Sequence, residues 1–170
     1  MKIIKRFFYL FISTAILLPL SSPAFAELSE VEKVKLAFVM NFTLHTYWPE
    51  EATADGEILI CLRSKKLEPF AKNILTQRNA TVRGAALRTV FVEDDALAPC
   101  DVVYPSGANM ATKRRSYKLF VADNRRGMPT GAAFNLCIVD DNVRFEVNSS
   151  ELERVGLSVS SKVLRLAKNH

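Results

Sequence analysis

The sequence predicts an α/β fold: a single three-layer domain with a mostly parallel sheet and an antiparallel hairpin, flanked by helices. Three observations lead there. Ile58-Leu59-Ile60-Cys61-Leu62 and Leu119-Phe120-Val121-Ala122 are continuous apolar runs, the pattern of strands buried on both faces. A helical stretch separates the first run from the next, and strand, helix, strand order implies parallel pairing with right-handed crossovers. Near the far end, Phe134–Val139 and Val143–Val147 flank Asp140-Asp141-Asn142, a polar turn between two strands.

The elements follow in order. Val31, Val34, Phe38, Phe42 and His45 recur at three and four residues with Glu30, Glu32, Lys33 and Lys35 between them, which predicts a helix over 29–46. Ser29 with Glu32 three residues on forms a capping box, and Pro49 forces an end. A second helix is expected from Leu67 to Arg78, where Pro69 fits only near the start. Leu87–Val92 and Val102–Tyr104 read as strands. Ser150-Glu151-Leu152-Glu153 reads as another capping box opening a helix that Gly156 interrupts, and 160–168 as a last helical turn or two carrying Val163, Leu164 and Ala167 on one face. Pro105–Lys118, short and polar, reads as a loop.

Composition narrows the function classes. The 170 residues are 49% hydrophobic and 24% charged, ordinary globular proportions. The formal charge of +5 suggests nucleic acid, but Lys2, Lys5 and Arg6 sit in a first 26 residues that hold no acid. Without that segment 20 basic side chains face 18 acidic ones, a net of +2, so a nucleic-acid partner is not expected.

Those first 26 residues read as a secretory signal peptide. A basic start is followed by the apolar Phe7–Leu20 and by Ala24-Phe25-Ala26, an A-x-A ending that places cleavage after Ala26. As a helix, the apolar run would measure about 21 Å against roughly 30 Å of hydrocarbon, too short to span comfortably. The mature protein is therefore expected to be 27–170, one domain, exported and not inserted in the membrane.

Chemistry-bearing motifs are sparse. Cys61, Cys100 and Cys137 permit one disulfide in an oxidising compartment, and spacing alone leaves the pair open. No C-x-x-C, nucleophile elbow, P-loop or G-x-G-x-x-G occurs, so no catalytic residue, metal site or cofactor is expected. His45 is the sole candidate base, and its helical setting among Phe42, Leu44 and Trp48 favours a partly buried structural role. Glu93-Asp94-Asp95 lacks calcium-loop spacing and reads as a solvated loop. Lys113-Arg114-Arg115 and Arg125-Arg126 flank one strand and can form a basic patch. Phe38, Phe42, Tyr47 and Trp48 cluster at the end of the first helix, where core packing is the default and any exposed remainder would mark a partner surface.

Two blocks carry a resemblance. Val34-Lys35-Leu36-Ala37-Phe38-Val39-Met40-Asn41-Phe42, followed by Trp48-Pro49, resembles the opening of the YfiR-like family of exported bacterial proteins. Val143-Arg144-Phe145-Glu146-Val147-Asn148 and Gly156-Leu157-Ser158-Val159-Ser160-Ser161-Lys162-Val163-Leu164-Arg165-Leu166-Ala167 resemble its far end, with Ile60-Cys61-Leu62 and Pro99-Cys100-Asp101 between. The resemblance implies a non-catalytic periplasmic repressor that binds the periplasmic sensor domain of an inner-membrane diguanylate cyclase, lowers cyclic-di-GMP and so limits biofilm formation, and forms a homodimer. It places the family's disulfide on Cys61 and Cys100. It leaves Cys137 without the fourth cysteine that some relatives use across the hairpin, so a buried thiol is expected there. It marks Asn41, Phe42, Trp48, Arg144, Asn148, Ser160, Ser161 and Lys162 as motif positions and candidate contacts. The alternative is an exported small-molecule-binding or accessory module of a sensor kinase or transport system. A hydrolase would rest on His45 alone.

Mass analysis of the exported protein is expected to find a chain starting at Glu27; an intact Met1–Ala26 segment on exported material would contradict the signal-peptide reading.

Overall fold

A computed structural model describes residues 27–93, 99–106 and 116–167. Helix α1 (Glu30–His45) starts as its capping box requires: the Glu32 amide donates to Ser29 Oγ at 3.3 Å, and the Ser29 amide donates to the Glu32 carboxylate at 3.0 Å. Beyond it, Thr46 turns to extended backbone and opens the two-residue strand β1 (Thr46–Tyr47). The Trp48 indole nitrogen donates to the Thr43 carbonyl at 2.9 Å, which satisfies an otherwise orphaned helix-end acceptor with a fully buried aromatic.

The main sheet has seven strands in the order β3-β4-β2-β5-β6-β7-β8. These are β2 (Glu57–Leu62), β3 (Thr81–Val82), β4 (Ala85–Phe91), β5 (Val102–Ser106), β6 (Leu119–Asp123), β7 (Phe134–Val139) and β8 (Asn142–Val147). The inner strands β4, β2, β5, β6 and β7 run parallel, and β3 and β8 close the edges antiparallel. Helix α2 (Glu68–Arg78), with Pro69 in its first turn, links β2 to β3 and packs on β4. The mostly parallel sheet, the hairpin and the flanking helices are those the sequence predicts.

Alternation along the strands sorts their side chains onto two faces. Ile58, Ile60 and Leu62 of β2, Val102 and Tyr104 of β5, Leu119 and Val121 of β6, and Phe134 and Leu136 of β7 join one core with Leu36, Val39 and Phe42 of α1. Their neighbours Cys61, Val103 and Phe120 form a smaller cluster with Cys100 on the other face. A strand buried on both sides needs no alternation, which is why Ile58–Leu62 reads as a continuous apolar run.

Three local expectations are corrected. The hairpin turn is two residues, Asp140 and Asp141, both at positive φ (49° and 57°), while Asn142 already pairs with Val139 in β8. Left-handed backbone at both turn positions matches the twist of the strands, and aspartate tolerates it. Helix α3 (Ser149–Arg154) is capped by Asn148, whose Oδ1 accepts from the Glu151 amide at 3.1 Å, not by Ser150. Gly156 does not interrupt a longer helix. At φ +77° it ends the α3 segment, and a Cβ there would lie 2.8 Å from the Tyr117 ring. The chain then forms β9 (Ser158–Val159), which pairs antiparallel with β1, before helix α4 (Ser161–Leu166).

Phe134→Ala should destabilise the protein by about 3–5 kcal/mol, because Phe42 stacks on that ring at 4.1 Å and 6° and neither side can close the gap. Asn148→Ala should cost about 1 kcal/mol through the lost cap. Urea denaturation of both variants checks the order; equal losses would contradict the packing described.

Candidate functional site

The motif residues at the two ends of the chain meet because β1 and β9 pair. Thr46 sits opposite Val159, and the Ser160 amide donates to the His45 carbonyl at 3.0 Å, which fixes the start of α4 against the end of α1. Between the two helices lies an open groove of about 280 Å³. Phe38, Asn41 and His45 line it from α1, Lys162, Val163 and Leu166 from α4, and Phe42 and Phe145 form its floor. The floor is held by ring contacts: Phe38 to Phe145 at 5.4 Å, and Phe42 to Phe145 at 4.9 Å. Leu166 is 71% exposed at the lip.

The groove is apolar in its depth and basic at its rim. Lys162 and Arg165 are exposed and form no ion pair among the described residues, and no carboxylate lines the groove. His45 is exposed here and not the partly buried histidine expected from its neighbours. Thr46 and Trp48 turn inward in its place, and both are buried.

The structure gathers only some of the expected site residues. Asn41, Phe42 and Lys162 share the groove. Trp48 and Ser160 line an adjacent recess of about 270 Å³ with Tyr47 and Arg83, and Ser160 Oγ is buried there with no hydrogen-bond partner among the described residues. Ser161 is exposed in the first turn of α4. Asn148 is occupied as a helix cap, and Arg144, exposed on β8, points to the face opposite Phe145. Of the aromatic cluster, Phe42 and Trp48 are core residues, Phe38 is half-buried and Tyr47 is 64% exposed.

On the second face of the sheet, Cys61 and Cys100 form a disulfide with Cα atoms 5.7 Å apart. Both are fully buried, and Cys137 is a buried residue of β7. Beside the bridge, Asp101 accepts from the Leu59 amide at 2.8 Å, and burial pushes its carboxyl above the usual range. Asn135, also buried, donates to Glu146 at 3.0 Å and exchanges bonds with the backbone of Asn124.

Sequence reasoning missed a third cluster at the carboxyl ends of β5 and β6. Lys35 Nζ lies 2.6 and 2.8 Å from the two Asp123 oxygens, and the Tyr104 hydroxyl donates to Asp123 at 3.4 Å. Burial, with the Asp123 charge second, pushes the Tyr104 phenol far upward. The available signal was a lysine between Val34 and Leu36 in an apolar stripe, but its partner lies 88 residues away.

Arg125 and Arg126 lie in an exposed turn after β6. Lys113-Arg114-Arg115, Asp94-Asp95, His170, the signal segment and most of the Pro105–Lys118 loop lie outside the described residues. Among the described residues no group of three His, Cys, Asp or Glu side chains can hold a metal ion, and no helix is long and apolar enough to cross a membrane.

A family model described as YfiR/HmsC-like matches residues 32–168, which include both helices of the groove and both bridged cysteines. No curated protein matches the chain.

Removing the bridge by Cys61→Ala with Cys100→Ala should cost about 4 kcal/mol, the chain-entropy value for a loop of this length, read from denaturant midpoints. An unchanged midpoint would contradict that role. Asp101 supplies a pH effect of defined sign. Its folded-state pKa is raised, so its contribution favours folding below the unfolded value of 3.8 and is lost as pH rises through the folded value. Asp101→Asn keeps the oxygen acceptor and cannot ionise. The Tm of Asp101→Asn relative to the native protein should therefore increase as pH rises through the acid range; a difference that does not change with pH would contradict the effect of burial on this carboxyl.

Proposed function

The chain belongs to the YfiR/HmsC-like family, and from that premise we propose that it is a non-catalytic periplasmic regulator that represses an inner-membrane diguanylate cyclase by binding its periplasmic sensor domain. The observation that carries this reading is the family match over 32–168, which makes a regulator of that signalling pathway the function at family level. The partner's identity, the direction of control and a homodimeric state are the further steps we propose.

Physically, a regulator of this kind needs only to prefer one conformation of its receptor. If the receptor's sensor domain exchanges between signalling and resting forms, binding the resting form more tightly draws the population there; a tenfold preference is worth about 1.4 kcal/mol. The β1–β9 pair and the Ser160 amide on the His45 carbonyl hold α4 against α1, so the surface they present loses little conformational freedom on binding. The Cys61–Cys100 bridge sits on the opposite face of that sheet, where it contributes to the framework and not to the contact itself. Reduction is then expected to loosen the domain and weaken repression.

Deleting the gene should raise cellular cyclic-di-GMP and overproducing the protein should lower it, with capture of a cyclase by the mature domain that weakens under reductant. Unchanged cyclic-di-GMP in both strains would overturn the reading. Retention of a small molecule that alters a sensor kinase or transporter would favour the accessory-module alternative.

A further inference from the structure

Resting on the reading of the chain as a regulator of a membrane protein, we propose that the groove between α1 and α4 is the contact that grips the partner, and that its occupant is a protein segment bearing an apolar anchor side chain flanked by carboxylates. The floor supplies the apolar half of that recognition: Phe38, Phe42, Phe145 and Val163 line a recess, and Leu166 overhangs it 71% exposed. A leucine held so far into solvent gains most when a partner covers it.

Charge supplies the other half. On the helices and sheet Lys33 sits on Glu30, Lys72 on Glu68, Arg88 on Glu57 and Arg154 on Glu151. Lys162 lines the groove and the exposed Arg165 precedes Leu166 on the same helix; neither has such a partner among the described residues, and no acid lines the groove. Cations on the rim of an apolar recess select an acidic segment and speed its approach.

Size and shape separate the occupants. At about 280 Å³ and open to solvent, the groove falls below the usual range for enclosing a small ligand. From Phe38 to His45 it runs about 10 Å, two turns of helix, which suits one or two anchors spaced three or four residues apart. A second copy docking by a two-fold axis through this face would bring Lys162 and Arg165 against their own counterparts, a like-charge contact. A flat lipid surface would leave the recess unfilled.

Site-specific photo-crosslinking in the producing cells tests this. The full chain carries p-benzoylphenylalanine in place of Leu166 or, as a control, of Arg88, and the Leu166 probe is repeated with Lys162→Glu and Arg165→Glu. Leu166, Arg88, Lys162 and Arg165 are all exposed, so the variants should keep the native Tm, which is measured first. The Leu166 probe should join an inner-membrane protein at a peptide in which an apolar residue is flanked by Asp or Glu, and charge reversal should lower the yield about tenfold. The Arg88 probe should not join that peptide. Crosslinks from Leu166 only to lipid or to a second copy, a joined peptide without acidic residues, or a yield indifferent to charge reversal would each overturn the groove assignment. Cyclic-di-GMP in the same strains keeps the two readings apart: repression that persists with no Leu166 crosslink sinks the groove alone, whereas loss of any effect of the gene on cyclic-di-GMP sinks the regulatory reading.

Discussion

The stack of Phe42 on Phe134, rings 4.1 Å apart and nearly parallel, is the contact on which the rest of the molecule depends. It joins the last turn of α1 to the first residue of β7, and Phe145 of β8 closes on both rings. With Leu36, Val39 and the Phe38–Phe145 contact it seats the helix over the hairpin end of the sheet, where Phe38, Asn41 and His45 form one wall of the groove. Offset aromatic contacts add about 0.5–1.5 kcal/mol each beyond area burial, so this cluster contributes position as well as cohesion. The Trp48 indole bonded to Thr43 and the Lys35–Asp123 pair hold the same helix at its last turn and its second.

The two faces of the sheet divide the work. The helical face carries the larger core and the groove, and the opposite face carries the disulfide beside Val103 and Phe120. The bridge joins β2 to the residue two places before β5, across the point where strand order reverses. A covalent tie there restrains the two central strands in the unfolded chain and leaves the helical surface uncommitted. This separation lets a change in thiol state act on stability of the frame while the contacting side chains keep their identity.

Much of this architecture was legible in the sequence, and the failures have physical causes. Ile58–Leu62 and Leu119–Ala122 announced themselves because strands covered on both faces need unbroken apolar runs. Ser29 and Glu32 marked the start of α1 because a reciprocal cap needs that spacing. The β1–β9 pair was invisible, since two-residue strands have no period to read. Ser150 with Glu153 matched a capping box, yet Asn148 two residues earlier competes for the same amides and takes the role. Phe42 and Lys162 were both marked as motif positions. That they share a groove follows from a pairing of Thr46 with Val159 that no local pattern encodes, and the exposure of His45 follows from the same turn.

The central claim is that α1, seated by its aromatic contacts, and α4, tied to it through β9, together form the surface that meets a membrane receptor. Hydrogen exchange of the mature protein, with and without the periplasmic domain of the cyclase proposed as its partner, measures this directly. The account predicts added protection over 38–45 and 161–166, with β4 unchanged. Protection confined to β4, or none at saturating receptor, would contradict it.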